Sequence, residues 1–200
     1  MTTPPENIAI LVVAAGRGHR FGGDMPKQYR RLAGEPVLTH TLRALAAGAP
    51  GARLRAVIHR DDDALYAEAV ARLPEGVRGR IDPPTFGGAT RQQSVRAGLE
   101  ALDEARPQIV LIHDAARPFS SKTLVEDAIA SARAHGAAVP GLAATDTFKQ
   151  IDADGVVVAT PPRAALRAVQ TPQAFGYQLI RDAHRDAAQA GVDDLTDDAA

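Results

Sequence analysis

Ile8 to Ala14 is apolar at every position, the pattern of a strand covered on both faces inside a parallel sheet. Leu54 to His59 reads as another strand, and Ile109 to His113 is another buried run. Between and after these runs the apolar spacing becomes helical. Pro36 opens a helix whose Leu38, Leu42 and Leu45 recur at i, i+4 and i+7 before Gly48 closes it. Asp63 to Leu73 is a second helix, and Arg91 to Ala105 carries Val95, Leu99 and Leu102 on one face. Lys122 to His135 places Val125, Ile129 and Ala132 on one stripe and stops at Gly136. Strand and helix alternating in this way predict an α/β fold, a doubly wound, mostly parallel sheet with ligands at the carboxyl ends of its strands.

The rhythm changes after Ala138. Thr147 to Ile151 and Val156 to Thr160 are strand-like and flank the turn-former Asp152-Ala153-Asp154-Gly155, so a β-hairpin is inserted in the α/β domain, within a region running from 142 to 170. Tyr177 to Ala190 reads as a last helix, ended by Gly191. No internal repeat or low-complexity tract interrupts the pattern, and 1–200 reads as a single domain.

Composition narrows the chemistry. Lys and Arg number 23 against 24 Asp and Glu, a formal net charge of −1, so the chain is no polycation and no nucleic-acid partner is expected. There is no cysteine, which excludes disulfides, thiolate nucleophiles and Cys-ligated metal. The longest membrane-like run, Ile8 to Ala15, falls far short of the roughly 18 residues a spanning helix needs, so no membrane partner is expected. Glu6 precedes that run and no Lys or Arg lies between Met1 and Ile8, which argues against a signal peptide and for a cytoplasmic protein. The six histidines, at 19, 40, 59, 113, 135 and 184, show no zinc spacing.

Oxygen and nitrogen groups must therefore do the work. The first strand runs into Ala15-Gly16-Arg17-Gly18-His19-Arg20-Phe21-Gly22-Gly23, a loop whose glycines let backbone N–H groups approach phosphate and whose arginines supply charged forks. It is neither a dinucleotide fingerprint, since Phe21 stands where the third glycine belongs, nor a P-loop. Alone it is equally a flexible turn. Pro26-Lys27-Gln28-Tyr29 follows on the same connection and could lean a lysine over phosphates. Gly87-Gly88-Ala89-Thr90-Arg91-Gln92-Gln93-Ser94-Val95 is a second loop entering a helix, with Arg91 and Ser94 in a first turn that favours an anion or a base edge. The segment Ile109 to Pro118 delivers Asp114 to the carboxyl end of a buried strand, where one carboxylate and substrate phosphates could hold Mg²⁺. His113 reads as a packed, hydrogen-bonded residue and not as a base, because no Ser or Cys nucleophile accompanies it.

Taken in order, Ala14-Ala15-Gly16-x-Gly18-x-Arg20, Pro26-Lys27-Gln28-Tyr29, Gly87-Gly88-x-x-Arg91-x-x-Ser94-Val95, His113-Asp114-Ala115-Ala116-Arg117-Pro118 and Thr171-Pro172-Gln173-x-Phe175 resemble the 2-C-methyl-D-erythritol 4-phosphate cytidylyltransferase family, over residues 8 to 198. The resemblance implies a Rossmann-like nucleotidyltransferase sheet with a dimerisation arm, and transfer of a cytidylyl group from CTP to 2-C-methyl-D-erythritol 4-phosphate, giving the CDP-alcohol and pyrophosphate in non-mevalonate isoprenoid synthesis. It implies that the Ala14, Ala15, Gly16 and Gly18 backbone, with the catalytic pair Arg20 and Lys27, holds the triphosphate. Gly88, Arg91 and Ser94 would hold the cytosine, and Asp114 and Ala115 the ribose side, with Asp114 serving Mg²⁺. Arg117 stands beside them in a binding or structural role. Thr147, Arg163, Thr171 and Thr196 would lie on the acceptor side, shared across a homodimer through the 147–160 hairpin.

Val13 and Ala89 depart from the family's usual residues at minor positions. More seriously, the family continues past Thr196-Asp197 into an Asn-x-Lys-x-Thr segment with a second basic residue, and this chain ends at Ala200. A chain truncated at its carboxyl end, such as the first part of a fusion with a 2-C-methyl-D-erythritol 2,4-cyclodiphosphate synthase, is expected to look like this. The rivals are a cytidylyltransferase for ribitol phosphate and a CTP-binding module without turnover. A nucleotide-sugar glycosyltransferase is disfavoured by the lack of an Asp-x-Asp motif after a strand.

Overall fold

The first apolar run forms β1 (Ile8–Ala14), and its alternation builds both halves of the core. Ile10, Val12 and Ala14 join one cluster, while Ala9 and Leu11 join the other. The structure, a computed structural model, describes residues 7–17, 25–193, 195 and 197–200. After β1 come a small hairpin of β2 (Arg31–Leu32) and β3 (Glu35–Pro36), then α1 (Val37–Gly48), β4 (Arg53–Ile58), α2 (Asp63–Ala71) and α3 (Glu75–Arg78). Next are β5 (Thr85–Phe86), α4 (Arg91–Glu100), β6 (Ile109–Asp114) and α5 (Lys122–His135). The remainder comprises β7 (Ala137–Ala138), β8 (Gly141–Ala143), β9 (Gln150–Ile151), β10 (Val157–Ala159), β11 (Arg167–Val169), β12 (Gln173–Gly176) and α6 (Tyr177–Gln189).

A six-stranded sheet in the order β5-β4-β1-β6-β12-β7 is the frame. β5, β4, β1 and β6 are parallel to one another, and β12 is antiparallel to both of its neighbours. Register pairs Ala14 with Ile58 and Val13 with Asp114, so β1, β4 and β6 finish at one edge. Since β12 runs the other way, its first residue, Gln173, pairs with Ile112 close to that edge. Thr171 and Pro172 therefore arrive where the parallel strands end.

Helices cover both faces, as a doubly wound sheet requires. Leu38, Leu42 and Leu45 of α1 and Val125, Ile129 and Ala132 of α5 fill one side, and Val95 and Leu99 of α4 with Tyr177 and Ile180 of α6 fill the other. A Cβ on Gly98 would stand 2.5 Å from Leu11 Cδ1 and 2.7 Å from Val57 Cγ2, so α4 lies closer to the sheet than any side chain there allows.

The expected sheet is present, with shifted limits. Helix α4 stops at Glu100, not Ala105, because the backbone tightens there to i→i−3 bonds, Leu102 N–H to the Leu99 carbonyl at 3.0 Å and Asp103 N–H to the Glu100 carbonyl at 3.1 Å, and turns away through 101–105. Leu102 is still buried, at 1% exposure, so its apolar signal was packing and not helix length. The strand β12 had no apolar period to announce it: only Ala174 and Phe175 are apolar between Pro172 and Gly176. The arm is longer than one hairpin. An antiparallel ladder of β8 and β11 forms its root, and β9 with β10 forms its tip, so the strands at 150–151 and 157–159 are shorter than the expected runs. One carboxylate oxygen of Asp152 accepts from the N–H groups of Asp154 (3.0 Å) and Val156 (2.9 Å), which builds the turn at the tip.

Candidate active site

The end of β1 is held open as a loop by a side chain 14 residues on. The turn Lys27–Tyr29 directs Gln28 and Tyr29 inward and leaves Lys27 exposed. Buried Gln28 donates through Nε2 to the Ala14 carbonyl at 2.6 Å and the Gly16 carbonyl at 3.1 Å. Both carbonyls being occupied, the loop turns without leaving acceptors aimed at an anion. Arg17 braces the same loop from the other side, reaching Asp61 at 2.6 Å and Asp62 at 2.9 Å on the turn after β4. Burial pushes the Asp62 carboxyl above the usual carboxylate range despite that guanidinium. Gly18 and Arg20 lie outside the described residues.

The second loop packs directly on the first. A Cβ on Gly87 would lie 2.5 Å from the Ala15 Cβ and 2.6 Å from the Ser94 Oγ, so only glycine admits this approach. Thr90 caps α4 by accepting from Gln93 N–H at 3.1 Å. Ser94 is buried, and its hydroxyl donates to the Thr90 carbonyl at 2.9 Å and accepts from Gly88 N–H at 3.2 Å. Within this chain Ser94 therefore shapes the loop by holding the Gly88 N–H.

At the end of β6, Asp114 sits between two guanidiniums. Arg117 Nε donates to its Oδ2 at 3.0 Å, and Arg91 Nε lies 3.5 Å from its Oδ1. Arg117 also reaches Gln170 Oε1 through Nη1. Ala115 is tied down at both backbone groups: its N–H donates to Val13 at 3.0 Å and its carbonyl accepts from Thr41 at 2.8 Å. Behind Asp114, His113 is fully buried. Its Nε2 bonds the Arg117 carbonyl at 3.0 Å, and its Nδ1 meets the Thr171 hydroxyl at 3.0 Å, which accepts from Asp114 N–H at 3.3 Å. One proton arrangement serves all three bonds: a neutral ring protonated on Nε2, with Thr171 donating to Nδ1. Burial pulls the His113 pKa below the ordinary histidine value, which agrees with that neutral ring. His113 is thus packed and bonded, as its sequence context implied, and buried Thr171 spends its hydroxyl bracing this strand end.

The edge gathers Ala14, Ala15, Gly16, Lys27, Gly88, Arg91, Ser94, Asp114, Ala115, Arg117 and Thr171 around three loops. Thr147 and Arg163 stand on the exposed arm, where Arg163 Nη1 donates to the Thr145 carbonyl at 3.0 Å. Thr196 lies outside the described residues. Sequence reading missed Gln28 as the loop's anchor, Asp61 and Asp62 as the partners of Arg17, and Asp198, whose Oδ2 lies 2.7 Å from Arg91 Nη2. Only the position of Gln28 inside a recognised tetrapeptide could have flagged any of them.

A mostly parallel sheet with helices on both faces, two glycine-bearing loops and an aspartate at its carboxyl edge is the architecture of a Rossmann-like α/β nucleotidyltransferase fold. The family model for 2-C-methyl-D-erythritol 4-phosphate cytidylyltransferase matches residues 8–200, and the chain belongs to that family. A curated protein of Rhodopseudomonas palustris (strain HaA2), the bifunctional enzyme IspD/IspF, is 54% identical over 200 residues, covering 100% of this chain and 48% of its own length. The IspD/IspF enzyme of Nitrobacter winogradskyi is 51% identical over 195 residues, covering 98% of this chain and 48% of its own. The chain spans about half the length of the curated relatives it matches. Among solved structures, 4-diphosphocytidyl-2C-methyl-D-erythritol synthase from Anaerococcus prevotii superposes with a TM-score of 0.82 at 30% identity, covering 97% of this chain and 81% of that one. The Thermus thermophilus 2-C-methyl-D-erythritol 4-phosphate cytidylyltransferase gives 0.71 at 34% identity, covering 96% and 81%. No helix among the described residues is long and apolar enough to cross a membrane.

Proposed function

We propose that this chain transfers the cytidylyl group of CTP to 2-C-methyl-D-erythritol 4-phosphate, releasing pyrophosphate. The observation that carries this reading is the meeting of the two glycine-bearing loops and Asp114 at one sheet edge, in a chain of this family. An acceptor phosphate oxygen attacks the α-phosphorus of CTP, the new P–O bond forms, and the bond to the bridging α,β-oxygen breaks with its electrons leaving on pyrophosphate. A phosphate monoester is already a nucleophile, so the protein's task is to align anions and neutralise charge. Lys27 supplies a cation beside the first loop, where charge grows on the α-phosphate, and the family resemblance assigns Arg20 to the same task. Gly88 offers its backbone carbonyl to the base, its N–H being held by Ser94, and Arg91, held between Asp114 and Asp198, borders that side.

Asp114 is the carboxylate at this edge, and a divalent cation could take it as a ligand only by displacing one of the two guanidiniums, Arg91 or Arg117, that face its oxygens. No cluster of three or more His, Asp or Glu suited to a metal occurs among the described residues, so substrate phosphates would provide the other ligands. Mg²⁺ held there would neutralise triphosphate charge.

Residues 1–200 then act as one nucleotidyltransferase domain with an arm over 142–170. Leu142, Phe148, Ile151, Val156, Val157 and Val158 are exposed on that arm. An apolar surface of this kind supports a homodimer in which Thr147 and Arg163 serve the partner's acceptor pocket. Such an enzyme draws on the CTP pool of the cytoplasm.

The test is pyrophosphate release from CTP and Mg²⁺ with methylerythritol phosphate and ribitol phosphate in parallel. Turnover with the first is expected. Turnover with ribitol phosphate alone overturns the acceptor, and CTP binding with no turnover overturns the transferase reading.

A further inference from the structure

Arg91 is not a free cation waiting for an anion. Its guanidinium reaches Asp114 Oδ1 at 3.5 Å through Nε and Asp198 Oδ2 at 2.7 Å through Nη2. Asp198 comes from 107 residues along the chain and its side chain is 1% exposed, whereas Asp114 remains about a third exposed at the sheet edge. An arginine fork that joins a buried carboxylate to an exposed one transfers the rigidity of the first to the second.

The segment that brings Asp198 to this place is fastened at several points. Gln92, in the first turn of α4, donates to the Val192 carbonyl at 2.7 Å and accepts from Leu195 N–H at 3.3 Å. Gln173, the first residue of β12, accepts from Asp198 N–H at 3.2 Å. Beneath it, His184 of α6 is 5% exposed and sets Nε2 3.4 Å from Asp198 Oδ1. Burial alone would raise the Asp198 carboxyl, but the nearby His184 and Arg91 outweigh it and hold that group below the usual carboxylate range.

We propose that Asp198 and His184 are positioning residues that set the Arg91 guanidinium against the Asp114 carboxylate, so that the segment after α6 fixes the geometry of the nucleotide side of the site. Arg117 holds the other oxygen of Asp114, and loss of the Asp198 anchor leaves Arg91 free to swing toward solvent or to be captured by the triphosphate. The proposal rests on the cytidylyltransferase reading for its kinetic consequence, but not for its effect on CTP binding.

The experiment compares Asp198→Asn, His184→Gln and Arg91→Lys in the wild-type and the Asp114→Asn backgrounds. Steady-state kcat and KM for CTP, calorimetric CTP affinity and thermal melting are measured for each. Asp198→Asn and Arg91→Lys are expected to lower kcat/KM for CTP about ten-fold each, with His184→Gln in the same direction and smaller, as for removal of a group that orients a site carboxylate. In the Asp114→Asn background the same changes should cost less than about two-fold, because the group they position is gone. Fully additive losses in that background, or normal CTP kinetics and affinity in Asp198→Asn, overturn the proposal. Should Asp198→Asn fail to fold, Arg91→Lys carries the same comparison, since it keeps the charge and removes only the fork. Absence of turnover in the wild type would overturn the transferase reading, and the calorimetric affinities would then decide the positioning role alone.

Discussion

Asp114 is about a third exposed, yet each of its oxygens faces a guanidinium and its N–H is tied to Thr171. Lys27 is the contrast, an exposed cation on a turn whose neighbours are buried. Lys27→Ala should therefore leave melting unchanged and lower kcat by at least about a hundred-fold, the scale seen when one preorganised charge-stabilising donor is removed. Normal turnover by that variant would remove Lys27 from the mechanism. The neutral ring of His113 makes a second prediction. Burial depresses its folded pKa, so below the ordinary value of 6.5 the unfolded chain binds the extra proton. The stability it contributes is complete above that value and is lost as pH falls through the folded pKa. Urea midpoints of wild type should fall between about pH 7 and about pH 5, and those of His113→Gln should fall less steeply over the same range. Parallel pH profiles would contradict the neutral assignment.

Elements announced themselves where their apolar period was long. The unbroken run of β1, the buried β6 and the stripe of α5 were legible from spacing, because burial on two faces or along one stripe dictates composition. β12 was not, since two apolar residues in four carry no period, and its place beside β6 was set by pairing and not by its own pattern. Helix α4 shows why glycine inside a helix can stabilise a fold. Gly98→Ala gains up to about 1 kcal/mol of helix propensity, but its Cβ must displace Leu11 and Val57, both without exposed surface, at a cost of about 1–3 kcal/mol. A net loss of stability is expected in denaturant titration, and a more stable variant would mean that α4 can lift from the sheet.

At the scale of the molecule, the arm is the part that the α/β core does not cover. Its exposed Ile151, Val157 and Val158 surround a tip that contributes nothing to the sheet. Deleting Asp152 to Gly155 should shift sedimentation toward monomer while CTP affinity stays the same, and an unchanged sedimentation profile would count against the arm as the dimer contact. The sequence by itself determined the alternation of strands and helices, the two glycine-bearing loops and the carboxylate that ends β6, because each depends on residues close together in the chain. What only the tertiary structure decided is which partners those residues meet. Arg91 with Asp198, Arg17 with Asp62 and His113 with Thr171 are separated by 107, 45 and 58 positions. No local pattern encodes such pairs, since a buried charge or ring nitrogen is satisfied by whatever the fold brings within hydrogen-bond reach.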